Sequence, residues 1–195
     1  MSISYDLIYA DPPWEQKAGR PLSGGYLKHD GKQLFNPKSN LSGSLPYSTM
    51  SFQDIKSLPV NKIASKNSHL FMWTTNRYLP KAGEIISDWG FKYSTTLVWC
   101  KKPIGGGLGG TFKVSTEFLI YARRGRPESK ANFNGTWFDV KRQYVGGYPC
   151  HSKKPDYFRD LVAQVCDGKK LEMFARENHE GWDVFGNEVE NSIIL

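Results

Sequence analysis

Cysteine is scarce in this chain of 195 residues. There are three, Cys100, Cys150 and Cys166, widely spaced and without any Cys-x-x-Cys. That argues against a disulfide framework and a cysteine zinc site, and it fits a reducing, cytoplasmic setting. The four histidines (His29, His69, His151, His179) form no ligand pair at helical spacing, so no metal centre is expected. No apolar stretch approaches the roughly 18 residues that a membrane span needs, and no charged-then-apolar leader opens the chain. The expectation is a soluble, unexported protein. There is no Gly-Lys-Ser/Thr phosphate loop, no internal repeat and no low-complexity linker.

What is present is a single domain's worth of chain with enough apolar residues (39%) for a core. Charge is unbalanced, with 26 basic against 19 acidic residues, a net +7. Such a surplus favours a polyanionic partner, nucleic acid first. A generally basic soluble protein is the plainer reading of the charge alone.

The stretch that organises the rest is Asp11-Pro12-Pro13-Trp14. It follows the apolar run Tyr5 to Ala10, which reads as a buried strand. An acid, two prolines and an aromatic at the carboxyl end of a strand stand where open α/β sheets place their ligands. The exocyclic amine of adenine is a poor nucleophile because its lone pair is delocalised into the ring. Alkylating it requires acceptors for both amine hydrogens. The Asp11 carboxylate can be one, and a backbone carbonyl fixed by the prolines the other. Trp14 offers a flat face for stacking a base. The set holds no strong nucleophile, so it suits positioning and polarisation better than covalent catalysis. The plain alternative is a strand-ending turn with Trp14 in the core.

Residues 15 to 50 are rich in Gly, Ser, Pro, Lys and Asn and read as a long loop. Its Lys17, Arg20, Lys28, Lys32 and Lys38 are candidates for phosphate contact, with Tyr47 a further substrate-facing candidate. Ser51 is an N-cap for a short helix ended by Pro59. His69 to Thr74 is a second strand. Asn76 then caps a helix with apolar Leu79, Ala82, Ile85, Ile86 and Trp89, and Gly90 sits just past its end. Phe91 to Trp99 and Val114 to Ala122 are further strands. The Gly105 to Gly110 run formally fits Gly-x-Gly-x-x-Gly, yet no helix pattern follows it, so it reads as a flexible loop. Arg123, Arg124, Arg126 and Lys130 form a basic cluster interleaved with Phe133 and Trp137, which suits either nucleic-acid contact or a solvated face. Val140 to Val145 is a short strand. Pro155 fits the first position of a helix running to about Cys166, which puts Lys154 at a helix N-terminus, ready for a carboxylate or phosphate. Leu171 to Phe174 is a strand carrying Glu172. A polar loop with Arg176, Asn178 and His179 follows, as a charged or ribose-bearing cofactor requires. The order of strands and helices is α/β.

These segments together resemble the MT-A type of S-adenosylmethionine-dependent adenine-N6 methyltransferases. The resemblance rests on Asp11-Pro12-Pro13-Trp14, Leu45 to Met50, Leu70 to Thr74, Ser152-Lys153-Lys154-Pro155, Leu171 to Arg176, and Gly181-Trp182 through Gly186-Asn187-Glu188. No one segment is specific; their order over nearly the whole chain is. The resemblance implies a Rossmann-like methyltransferase fold in one domain (1–195), permuted so that the catalytic motif precedes the main cofactor segment. Substrate-facing loops would lie near 15–50, 100–113 and 123–139. It implies that Asp11 and the Pro12 carbonyl hold the target amine, that Pro13 belongs to the same rigid turn, and that Trp14 lines the base pocket. Lys154 would meet the methionine carboxylate of S-adenosylmethionine. Asp11, Glu172, Arg176, Asn178, His179, Asn187 and Glu188 would be its other contacts. Lys17, Arg20, Tyr47, Arg123 and Arg124 are the substrate candidates. The chain begins only a few residues before Asp11, so cofactor contacts made upstream in longer members are expected to be missing or supplied differently. DNA is placed ahead of RNA as the substrate. Monomer, homodimer and heterodimer stay open. Two rival functions stand: a catalytically inactive nucleic-acid-binding partner, and a methyltransferase acting on a protein amide or small amine.

Overall fold

The apolar run Tyr5–Ala10 is β1, near the middle of a seven-stranded sheet in this computed structural model. The structure describes residues 4–15, 49–102, 111–145, 148–149 and 153–195. Lys17, Arg20, Tyr47 and the Gly105 to Gly110 run therefore lie outside the described residues.

After β1 come α1 (Phe52–Ser57), α2 (Val60–Ile63), β2 (Ala64–Thr74), α3 (Ala82–Asp88), β3 (Lys92–Lys102) and β4 (Thr116–Arg124). Then follow β5 (Trp137–Lys141), β6 (Tyr144–Val145), β7 (Tyr148–Pro149), α4 (Asp156–Ala163), β8 (Lys170–Met173) and β9 (Asp183–Phe185). The sheet order is β5-β3-β4-β2-β1-β8-β9, with β6 and β7 paired separately. The sheet is mixed. β4 runs antiparallel to both its neighbours, while β1 is parallel to β2 and β8, β3 to β5, and β8 to β9.

Period-two alternation sorts the strand residues onto two faces. One face (Ile8, Leu70, Met72, Ile120, Leu171, Met173) packs on Ile55, Val60, Ile85, Ile86 and Trp89 of α1 to α3. The other (Leu7, Tyr9, Phe71, Trp73, Trp99, Leu119) packs on Phe158, Leu161 and Val162 of α4. Both faces of β1 are thus covered, which is why its sequence is apolar apart from Asp6 near its start.

Several local expectations hold in detail. Ser51 and Asp54 form a reciprocal capping box on α1. Gly90, at φ +83°, ends the α3 region. Others differ. Asn76 caps no helix; its side chain reaches the Thr116 carbonyl, and a single 3₁₀ turn over Leu79–Lys81, with Pro80 inside it, precedes α3. Proline has no N–H to give the α-helical ladder, so the longer helix starts only after it. Pro155 is the N-cap of α4, extended at ψ 135°, and not its first helical residue. Trp137 opens β5 where a basic loop was expected, because β3 supplies a free parallel edge. The three-residue β9, carrying one buried apolar residue, Val184, is too short to show a period.

Candidate functional site

Asp11 is the first residue beyond β1, and its carboxylate stands on the α4 face of the sheet. The Asp11 N–H bonds the Met173 carbonyl at 3.3 Å, which ties the start of the loop to the end of β8. The residue that meets Asp11 is Lys154, from the segment just before α4. Its Nζ donates to both Asp11 oxygens at 2.8 Å and lies 3.2 Å from Glu117 Oε2. The Lys154 ammonium also sits 5.4 Å over the ring of Trp73. Glu117 in turn is paired with Lys101 of β3. The four form a chain of alternating charge across one end of the sheet.

Burial pushes the Asp11 carboxyl up from its ordinary pKa, and the Lys154 ammonium pulls back against it. For Lys154 burial works to remove the proton, but the carboxylates of Asp11 and Glu117 outweigh it and hold the ammonium above its usual range. Burial would raise the Glu117 carboxyl too, yet Lys154 and Lys101 together bring it below its ordinary value. Lys154 therefore stays charged at neutral pH.

The turn after Asp11 is fixed by its backbone. The Pro12 carbonyl accepts from the Trp14 N–H at 2.8 Å, and the Pro13 carbonyl from the Met50 N–H at 2.9 Å. A carbonyl oxygen has two lone pairs, so among the described residues Pro12 keeps one for another donor. Trp14 itself is only 5% exposed. Its ring stacks on Tyr78 at 4.7 Å, and its Nε1 donates to the Trp73 carbonyl at 3.1 Å. The structure thus places Trp14 as a buttress under the turn, where the sequence suggested an open stacking face.

Across the cleft from Lys154 stands Glu172 on β8. Tyr9, Asp11, Lys154, Arg159, Glu172, Phe174, Arg176 and His179 are among the residues that line the space between. Glu172 is largely buried, with Arg159 3.8 Å and His179 4.0 Å from one carboxylate oxygen. That oxygen, Oε2, has no hydrogen-bond donor among the described residues. Burial pushes the Glu172 carboxyl up to about 7; Arg159 opposes this, and the negative charges of Asp11, Asp156 and Glu177 add to it. A carboxylate kept in a cleft without a donor is a ready acceptor for hydroxyls of a ligand. The chain leaves β8 through Phe174, which holds φ at +64°. A non-glycine residue in that region is strained, and strain of this kind gathers at ligand sites. Beyond it, Arg176 lies 3.7 Å from Glu188. Asn178 and Asn187 are exposed and do not line the cleft.

Arg123 and Arg124 are not brought to this site. Their strand runs antiparallel to β2, so Arg124 pairs with Ser68 and Arg123 with His69, while Phe118 pairs with Thr74. They stand at the opposite end of the sheet from Asp11. Arg124 is spent on structure there, donating to the Asn61 and Ala64 carbonyls at 2.7 and 3.1 Å. Sequence reasoning missed Glu117, Lys101 and Arg159. The alternation of Glu117 with Leu119 would have put it on the α4 face. The pairing direction that brings it to the Asp11 end of the sheet has no signature within one strand.

The family model MT-A70 matches residues 5–188. The type II methyltransferase M.MunI of a Mycoplasma species is 29% identical over 97% of this chain and 80% of its own length. The mouse N(6)-adenine-specific methyltransferase METTL4 is 28% identical over 95% of this chain. The alignment takes in 38% of that protein, so this chain spans well under half of it. The N6-methyladenosine RNA methyltransferase MTA1 of Cryphonectria parasitica is 26% identical over 95% of this chain and 52% of its own length.

Proposed function

The chain belongs to the MT-A70 family of methyltransferases, and from that premise we propose that it transfers a methyl group from S-adenosylmethionine to the exocyclic N6 amine of adenine in nucleic acid, with DNA ahead of RNA. The observation that carries the reading is Asp11. Its carboxylate is held by Lys154 at the mouth of a cleft and followed by a carbonyl with a spare lone pair. Two acceptors one residue apart, on a turn locked by prolines, can take both hydrogens of a planar amine. They would hold the amine so that its lone pair leaves conjugation with the ring.

The residues of the cleft fit S-adenosylmethionine. Glu172, with a buried oxygen lacking a donor among the described residues, would accept from ribose hydroxyls. Lys154 would meet the methionine carboxylate, and Arg176, paired with Glu188, and His179 would line the remainder. Bound there, the sulfonium would supply an electrophilic methyl group. Asp11 would stabilise the positive charge that grows on the amine nitrogen, and the proton would leave late, to Asp11 or to water. Trp14 acts from below, keeping the turn rigid. In a duplex the target adenine must leave the stack to reach Asp11. The net +7 charge supports a phosphate-bearing substrate over a small amine.

The test is a methyl-transfer assay with labelled S-adenosylmethionine on duplex DNA, single-stranded DNA and RNA, read as modified nucleoside by mass spectrometry. N6-methyladenine is expected from the wild type. Asp11→Asn should lower it by roughly a thousandfold while cofactor binding persists. Cofactor binding with no product on any polymer would redirect the reading to a required partner subunit or another amine. Loss of both would leave a non-catalytic binding protein.

A further inference from the structure

Lys154 is shared. Its ammonium has three hydrogens; two point at the oxygens of Asp11 at 2.8 Å and the third side faces Glu117 Oε2 at 3.2 Å. The other Glu117 oxygen is held by Lys101, whose ammonium lies 5.4 Å over the Trp99 ring. The side chains of Lys154, Glu117 and Lys101 are 12%, 16% and 16% exposed, so water screens these charges little. The four formal charges sum to zero. Glu117 is linked to Asp11 through Lys154, and its negative charge also raises the Asp11 carboxyl directly.

We infer that Glu117 is a positioning residue for Asp11: by sharing Lys154 it keeps the Asp11 carboxylate a strong hydrogen-bond acceptor for the incoming amine. The inference rests on the role proposed above for Asp11. Remove the Glu117 charge, and Lys154 faces one carboxylate in place of two. Lys154 then spends its whole charge on Asp11, and an oxygen saturated by a cation is a poorer acceptor and a weaker base. Remove Lys101 instead, and Glu117 turns wholly to Lys154, drawing it off Asp11. The two substitutions must therefore move Asp11 in opposite directions. Because the Glu117 charge also raises the Asp11 carboxyl directly, the loss of kcat against an unchanged KM must accompany these opposite shifts if Glu117 acts by positioning.

Other groups facing Asp11 set its starting point and stay constant in the comparison. Arg176, in the loop after β8, lowers its proton affinity. Glu172 of β8 and Tyr9 of β1 are both coupled to its charge.

The experiment needs neither cofactor nor substrate. The Asp11 carboxyl carbon is followed by NMR across a pH titration of the full chain, in wild type, Glu117→Gln and Lys101→Met. Glu117→Gln should lower the Asp11 midpoint by roughly one pH unit, and Lys101→Met should raise it by a smaller amount. In the methyl-transfer assay Glu117→Gln should lower kcat roughly tenfold, with KM for S-adenosylmethionine within about twofold of wild type. An Asp11 midpoint that stays put in folded Glu117→Gln, or that moves the same way in both variants, overturns the inference. Should Glu117→Gln fail to fold, Lys101→Met decides: a raised Asp11 midpoint together with a changed kcat supports the inference, and an unmoved midpoint or an unchanged kcat overturns it. Should the wild type methylate nothing, the function proposed above fails, while the titration still rules on Glu117.

Discussion

Glu172→Gln should make the ligand-free protein more stable at alkaline pH and worse at holding its cofactor. Burial raises the Glu172 carboxyl from an ordinary 4.5 to about 7. Between those values the native state binds more protons than the unfolded chain. Stability therefore falls as pH rises through that window, and the loss is complete above it. A shift of about 2.5 units at 1.36 kcal/mol per unit gives about 3 kcal/mol, an upper figure because water reaches part of the side chain. Glutamine imitates the protonated acid and carries no such loss.

Urea unfolding of wild type and Glu172→Gln, without ligand, at pH 4.5, 6 and 8 checks this. The two should be nearly equal at pH 4.5 and separate by up to about 3 kcal/mol at pH 8, with the variant ahead. Calorimetry should show cofactor affinity down by about tenfold or more, since an amide offers one acceptor oxygen in place of two. A stability difference that does not change with pH would refute the argument, because desolvation of the charged form would then not be what the fold opposes. A variant that is more stable and binds equally well would sever Glu172 from the cofactor.

Two further perturbations bear on the rest of the site. Arg124→Ala should cost about 1–2 kcal/mol of stability through the lost bonds to the Asn61 and Ala64 carbonyls, with KM for nucleic acid unchanged; a several-fold rise in KM in steady-state assays would return Arg124 to the substrate surface. Gly186→Ala should destabilise by about 3 kcal/mol or more in urea melts, because its Cβ would stand 2.1 Å from the Ala175 carbonyl oxygen; a midpoint unchanged from wild type would show that the loop after β8 can shift.

Much of this was open to a reader of the sequence, for identifiable reasons. β1, β2, β3, β4 and β8 are continuous or alternating apolar runs, and their period survives without tertiary information. Asp11, Lys154 and Glu172 each sit next to a punctuating signal: two prolines, one proline, and the end of a strand. Physical placement goes by a different rule. Trp14 reads as a stacking face or a core residue, and only its surroundings decide: Tyr78 covers one face of the ring and the residue is 5% exposed. Asn76 looks like an N-cap by type, yet Pro80 removes the donor that would let a helix start there.

The sharpest divide between what could and could not be read lies within β4. Its sequence, Thr116 to Arg124, holds an acid at one end and two arginines at the other. Read alone, the arginines are the more suggestive, being basic, clustered and next to a Gly/Pro loop. The fold reverses that order of importance. Because β4 is antiparallel to β2, its first residues lie level with Thr74 and so near Asp11, and its last lie level with Ser68 at the far end. Had β4 been parallel to β2, the arginines would stand at the Asp11 end and Glu117 would be remote. The charge balance around Asp11 thus depends on strand direction, which is set by pairings among β2, β3 and β4 and not by any residue of the motif itself.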